Sequence, residues 1–492
     1  MLFNSFQFLL FFPIVTILYF LLPYKLRWLH LLVASCIFYM AFVPVYILIL
    51  FFTIVIDYLA GLKIELAIGK KRKLFLVVSL LANIGVLAVF KYYNFFTGNI
   101  NNAFAASGSD FHLPLLSILL PIGLSFHTFQ AMSYTIEVYR GQQKAERHFG
   151  IYALYVMFYP QLVAGPIERP QNLLHQFYEQ HDFNLDNCKE GLKQMLWGVF
   201  KKIVIADRLA QVVKVVYNHP ENQAGPALAI GTVFFAFQIY CDFSGYSDIA
   251  IGAARVMGFN LMKNFNRPYF ARSISEFWTR WHISLSTWFK DYLYIPLGGN
   301  RVSKSRLYLN LSIVFVVSGL WHGANWTFIA WGALHAFYLI FGLATKPARV
   351  KMLSAIGITE HSRIFTILAV LSTFCLATFA WIFFRAASMH DALFISTHLF
   401  SGWGQALSPH GLKTVITAVG GNDTIIGAFN LTLGCALILF LELAQRKAAH
   451  IPVLDIFNNS NRILRWGFYY LLIISILLIG VYDNQEFIYF QF

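Results

Sequence analysis

Apolar runs of about membrane length recur along this chain, separated by short polar clusters. The N-terminal set covers residues 8–22, 29–42, 46–62, 74–90, 115–136 and 151–163. Residues 199–216, 227–251, 307–320, 327–343, 365–384, 425–443 and 468–481 follow. The longer runs approach the ~20 residues that cross hydrocarbon as a helix. Backbone in lipid must satisfy its own hydrogen bonds, so each run predicts helix. The expectation is an all-α polytopic membrane protein with roughly 11–13 membrane segments, some of them re-entrant. No Ser/Gly/Pro-rich linker divides the chain, which reads as one integrated membrane domain over 1–492. Within it, 1–110 looks like scaffold and 114–345 carries polar and aromatic residues inside apolar runs. Residues 346–492 return to plain helices, with a Gly-rich polar loop near 398–422 and an external tail.

Composition agrees with this pattern. Hydrophobic residues make up 58% of the chain and charged residues 12%, too little polar surface to coat a soluble protein. The net charge of +14 resembles a nucleic-acid signal until the charges are placed. Lys25, Arg27, Lys70–Lys73, Arg140, Lys144, Arg147, Lys346, Arg349, Lys351, Arg446, Lys447, Arg462 and Arg465 fall largely on one side if loops alternate and both termini are external. Charge is therefore a topology signal, with membrane lipid and not nucleic acid as the partner. The first run has no basic residue before it and no small-residue cleavage site, and reads as a retained helix. Five scattered cysteines, without CxxC or Cys/His spacing, support neither a disulfide framework nor a metal site.

Four polar patches interrupt the middle part. PIGLSFHTFQAMSYTIEVYRG places Ser125, His127, Gln130, Ser133 and Glu137 inside an apolar run, several on one helical face. FYPQLVAGPIERP has three prolines and Gly165, so no continuous helix is expected, and Gln161, Glu168 and Arg169 would face a cavity. FQIYCDFSGYSDIAIG reads as a polar turn around Gly245. Its Asp242 and Asp248 are expected to hold broken helices together by pairing with Arg280 or Lys290, a structural polar core shared with Gln161.

The fourth patch carries the chemistry. His322 lies in SGLWHGANW, between two apolar runs, and His282 lies in EFWTRWHISLSTWFKDYLYIPLGGN. An imidazole at membrane depth is costly unless it lines a wet or packed cavity. Trp321 and Trp326 would wall His322, and such surroundings favour the neutral imidazole, the proton-accepting form. Near an acyl thioester it would serve as general base. His282 fits donor orientation or pocket support as well as proton transfer, and His335 fits packing. Arg280, Lys290 and Lys202 are cationic donors suited to the phosphates of a nucleotide-bearing donor such as coenzyme A. Trp321 and Asn325 complete the pocket.

The runs RWHISLSTWFKDYLYIPLGGN and SGLWHGANWTFIAWGALH closely resemble membrane-bound O-acyltransferases, in the branch that O-acetylates bacterial polysaccharides such as alginate and peptidoglycan. PIGLSFHTFQ, FYPQLVAGPIERP, QIYCDFSGYSDIAIG and WIFFRA are similar to the same branch. The resemblance implies a helical ring around a central catalytic tunnel, with the family's invariant histidine at His322 and its second at His282. His127 departs from the aromatic expected there. The resemblance also implies acetyl-CoA as donor substrate with no bound cofactor, and acetyl transfer across the bacterial inner membrane toward an extracytoplasmic glycan. The ending FIYFQF is similar to an FxYxxF tail. It makes Tyr489 a candidate transient acyl acceptor that hands the acetyl group to a periplasmic SGNH-type acetyltransferase or glycan-acetylation complex. D-alanyl transfer to teichoic acid and a transporter without covalent chemistry are the alternatives.

Overall fold

A computed structural model of the chain describes residues 1–118, 120–355, 357, 359, 362–406, 408–447, 461–482 and 487–488. Helices account for its regular structure among these residues. Seven are long and apolar enough to cross a membrane: Pro44–Leu66, Lys70–Ala106, Gly225–Val256, Trp326–Ala355, Arg363–Arg385, Thr424–Gln445 and Arg462–Ile479; the apolar helix Phe6–Leu21 is shorter. Other apolar runs form shorter or more polar helices, such as Tyr24–Met40 and Lys304–His322. The protein is an all-α, multi-pass membrane protein.

The chain forms two compact units, one of residues 1–195 and 246–263, the other of 196–245 and 264–492. In the first, the helices Ile47–Leu66, Lys70–Leu87 and Leu124–Arg140 pack together. Buried polar side chains tie them. Asp57 accepts from Ser79 Oγ at 2.6 Å and from Asn83 Nδ2 at 2.9 Å, and Ser79 Oγ also lies 3.0 Å from Thr135 Oγ1. His127, the departure from the expected aromatic, is buried with Nε2 2.6 Å from Thr53 Oγ1. Interhelical bonds of this kind replace the hydrophobic drive that lipid does not supply.

Three expectations shift. The run 115–136 becomes helix only from Leu124, because Pro114 and Pro121 precede it and Gly123 turns the chain at φ 77°. The polar turn around Gly245 is instead the interior of one helix, Gly225–Val256. Gly245 is there for proximity, since a Cβ on it would lie 2.8 Å from the Gly198 carbonyl oxygen of the Leu185–Val199 helix. The Gly-rich stretch near 398–422 holds a helix, Pro409–Val419, capped by Ser408. The prolines of FYPQLVAGPIERP act as expected: the Phe149–Met157 helix stops at Phe158, and only one further turn, Tyr159–Leu162, forms before Pro170.

Replacing Asp57 by Leu strands Ser79 and Asn83 among apolar helices. It should lower unfolding free energy by about 1–2 kcal/mol in detergent denaturation, whereas Asp57→Asn, which keeps an acceptor, should recover most of that loss.

Candidate active site

The motif SGLWHGANW is the turn of a tight helical hairpin in the second unit. Ser303 caps the Lys304–His322 helix, which ends at Gly323 in an extended conformation. Asn325 Oδ1 accepts the Thr327 amide at 3.0 Å and opens the Trp326–Ala355 helix. The two helices touch backbone to backbone. A Cβ on Gly319 would lie 2.2 Å from Phe328 O, and one on Gly332 would lie 2.2 Å from Phe315 O. A Cβ on Gly323 would strike the Phe328 ring at 2.1 Å. Small residues thus set the distance between helices that carry large aromatic rings.

That hairpin places His322 beside Trp331. Its ring meets Trp321, Trp331 and Phe384 edge to face, with centroids 4.9, 5.0 and 5.2 Å away. His322 keeps 4% exposure, whereas His282 and His335 have none, so of the three it retains a trace of access. His335 accepts from Trp278 Nε1 at 3.3 Å and sits in the aromatic packing.

His282 occupies the junction between the short helices Ile274–Arg280 and Ile283–Phe289, at φ 42°. A left-handed non-glycine residue is strained and needs outside support. Asn264 supplies it. Its Oδ1 accepts the Ser284 amide at 3.2 Å and the Ser284 hydroxyl at 2.9 Å, its carbonyl accepts the Ile283 amide at 2.9 Å, and His282 Nδ1 lies 3.1 Å from Oδ1. An atom that accepts a backbone N–H is the amide oxygen, so Nδ1 donates to it and Nε2 is the ring's acceptor. Burial pushes His282, which lies outside the seven crossing helices, well below the usual imidazole range. Trp321 stands between the histidines, 6.2 Å from the His282 ring and 4.9 Å from His322. The structure therefore brings His282, Trp321 and His322 together, with Asn325 shaping the turn.

The candidate cations divide. Arg280 lines a cleft of about 510 Å³ with Arg267, Arg272 and Asn266. Glu276 pairs with both Arg280, at 2.6 Å, and Arg272, at 3.8 Å, which leaves the cleft with more positive than negative charge. Lys290 is exposed and borders a different, apolar pocket of about 150 Å³ with Trp278, Phe289 and Phe315. Lys202 lines neither. Its ammonium is buried between Asp242, at 2.7 Å, and Asp207, at 2.9 Å. Asp242 is thus paired with Lys202, not with Arg280 or Lys290, since Lys202 lies on the segment that Gly245 lets approach. Asp248 accepts instead from Gln194 at 3.1 Å, and Gln161 donates to the Tyr155 carbonyl at 2.9 Å, both in the first unit. Tyr489 lies outside the described residues. Sequence reading missed Asn264, Trp331, Phe384 and Asp207. The signal for Asp207 was its position just after the lysine pair.

The family signature of membrane-bound O-acyltransferases matches residues 146–389, a stretch that contains the hairpin, both histidines and the arginine cleft. Named relatives extend the likeness to the whole chain. A probable alginate O-acetylase AlgI of Pseudomonas putida is 37% identical over 100% of both chains. That of Pseudomonas syringae pv. tomato is 41% identical over 80% of this chain and 74% of its own. The chain belongs to the membrane-bound O-acyltransferase family. A peptidoglycan O-acetyltransferase of Helicobacter pylori is 34% identical over 94% of this chain and 91% of its own. The protein is accordingly an acyltransferase enzyme embedded in a membrane.

Gly332→Leu should force the hairpin apart, and acyl transfer should fall by about tenfold or more in membranes with equal protein content. Gly342→Leu in the same helix, where a Cβ would meet only the far end of Arg349 at 4.0 Å, should leave transfer within about twofold of the parent.

Proposed function

We propose that this acyltransferase takes acetyl groups from cytoplasmic acetyl-CoA and passes them across the bacterial inner membrane for O-acetylation of an extracytoplasmic polysaccharide of the alginate or peptidoglycan type. The observation that carries the reading is His322, held at a helix end by three aromatic rings while keeping a trace of exposure. The names of the relatives and the positive arginine cleft support it.

In this scheme Arg267, Arg272 and Arg280 hold the phosphates of the donor, where guanidinium forks suit phosphate geometry. His322 takes the proton from an acceptor hydroxyl as its oxygen attacks the thioester carbonyl. The carbon–sulfur bond breaks, and the coenzyme A thiolate leaves with the proton returned by His322. His282, with Nδ1 fixed by Asn264, orients the donor or the pocket wall around Trp321. The acceptor hydroxyl is that of Tyr489, giving an O-acetyl-tyrosine from which a periplasmic SGNH-type transferase collects the acetyl group. Basic loops lie on the cytoplasmic side and both termini are external.

His322→Ala should reduce glycan acetylation at least a hundredfold, on the order expected for removal of a general base, with unchanged protein in the membrane fraction. Acetylation persisting in that variant would overturn the assignment. With radiolabelled acetyl-CoA, label should appear in the C-terminal peptide of the parent and be absent from Tyr489→Phe. Equal glycan acetylation by Tyr489→Phe would remove the tyrosine from the pathway. Recovery of D-alanine in place of acetate from the modified glycan would replace acetyl with D-alanyl transfer.

A further inference from the structure

Two residues near the end of the sequence, Phe487 and Ile488, are buried, although such segments ordinarily fray. Phe487 is 1% and Ile488 3% exposed. The route to them is pinned at two levels. Where the Arg462–Ile479 helix ends, Arg208 donates to the Ile479 carbonyl at 2.7 Å and the Val481 amide donates to the Ile203 carbonyl at 3.2 Å. A Cβ on Gly480 would lie 2.8 Å from Ile203, so this glycine lets the strands of chain meet. Further on, the Ile488 amide donates to Asp242 Oδ2 at 2.8 Å. The Phe487 ring packs 5.7 Å from Phe243, which also meets the His282 ring at 4.6 Å and the Phe265 ring at 5.0 Å.

The acceptor in that bond is not an ordinary one. Asp242, Asp207 and Lys202 are all buried, two carboxylates around one ammonium. A single cation cannot balance both, and a buried carboxylate needs further donors for its remaining lone pairs. Lys202 engages Oδ1 of Asp242 and orients Oδ2 toward the tail, where a backbone N–H meets it. A main-chain donor ignores side-chain identity and fixes the chain at one residue, so the bond sets register as well as attachment.

We propose that Asp242, oriented by Lys202, is a positioning residue that clamps the chain at Ile488, and that acyl transfer depends on this attachment. The functional half rests on the reading of Tyr489 as acyl acceptor; the clamp itself does not. Asp242→Ala is the direct variant, but it leaves Lys202 short of a partner in the core. Ile488→Pro removes the amide donor together with the buried side chain, and Ile488→Ala removes the side chain but keeps the donor, so the pair separates the two.

The test uses full-length protein in nanodiscs with two readouts. One is cleavage by a Glu-specific protease between Glu486 and Phe487, scored as release of the last six residues. The other is acetyl transfer from acetyl-CoA. Ile488→Pro should be cleaved about ten- to a hundredfold faster than the parent, as expected for loss of a hydrogen bond to a charged acceptor. Its kcat should fall while KM for acetyl-CoA is unchanged, and Ile488→Ala, which loses the buried side chain but keeps the donor, should fall between the parent and Ile488→Pro in both. Parent-like protection of Ile488→Pro overturns the clamp. A freed tail with unchanged kcat overturns the positioning role. Tyr489→Phe should stay protected whatever its transfer rate, which supports the clamp separately from the shuttle; cleavage of Tyr489→Phe at the Ile488→Pro rate would show that the phenol and not the amide holds the tail.

Discussion

Polar groups between membrane helices have no water to turn to, and this constraint governs how the protein is built. An unpaired amide or carboxylate there costs several kcal/mol, so each must find its partner within the chain. Asp57 takes donors from Ser79 and Asn83, and His282 takes Asn264. Asp242 and Asp207 share Lys202. These bonds are worth little individually, because the partly folded chain in lipid also finds partners. What they supply is specificity: each pair forms only when its own helices meet in register, and in the second unit the support of Asn264 holds His282 beside Trp321, whose ring also meets His322.

The site's aromatic walls follow from the same economy of water. An imidazole can be kept dry by aliphatic packing, but aromatic rings offer edge contacts at fixed distance and few rotamers. Trp331 and Phe384 meet His322 nearly perpendicular, at 88° and 70°, so the ring is restrained in orientation as well as excluded from bulk solvent. His282 is restrained differently, by a left-handed backbone and a hydrogen bond that selects its tautomer. The two histidines are therefore unequal in construction. One is buried completely and polar-anchored, and the other is held by rings with a trace of exposure. This asymmetry fits a base paired with a supporting residue better than two interchangeable bases.

Much of this was legible in the sequence, and what was not has a physical cause. Hydropathy runs exposed the helices because lipid imposes length and composition on a crossing segment. The motif around His322 was legible because an imidazole between two apolar runs is costly without a cavity, and because the run resembles that of a known family. Partner choice was hidden. Asp242 shares no sequence proximity with Lys202, and both Arg280 and Lys290 were equally acceptable by charge; only the close approach at Gly245 decides between them. The same glycine was misread as a turn. A glycine in a helix can mark a break or a crossing, and local sequence does not distinguish the two when the neighbour lies elsewhere in the chain. Asn264 was overlooked for the reverse reason: it contributes no charge, and its importance comes from supporting a strained residue whose strain is invisible in sequence.

The crossings made by glycine also explain how such a site can be precise without a large soluble scaffold. Side-chain packing tolerates shifts, because Leu or Met can repack around a displaced neighbour. Backbone pressed on backbone leaves no such freedom. Gly319 against Phe328 and Gly332 against Phe315 fix the hairpin bearing His322, and Gly245 against Gly198 fixes the helix bearing Asp242 against the segment leading to Lys202. A general base must be held within about 0.5 Å of its productive geometry. Helices locked at backbone contact distance provide that tolerance directly. His322 lies within one turn of Gly319 and Asp242 within one turn of Gly245, so each is carried by a helix that is pinned close to it.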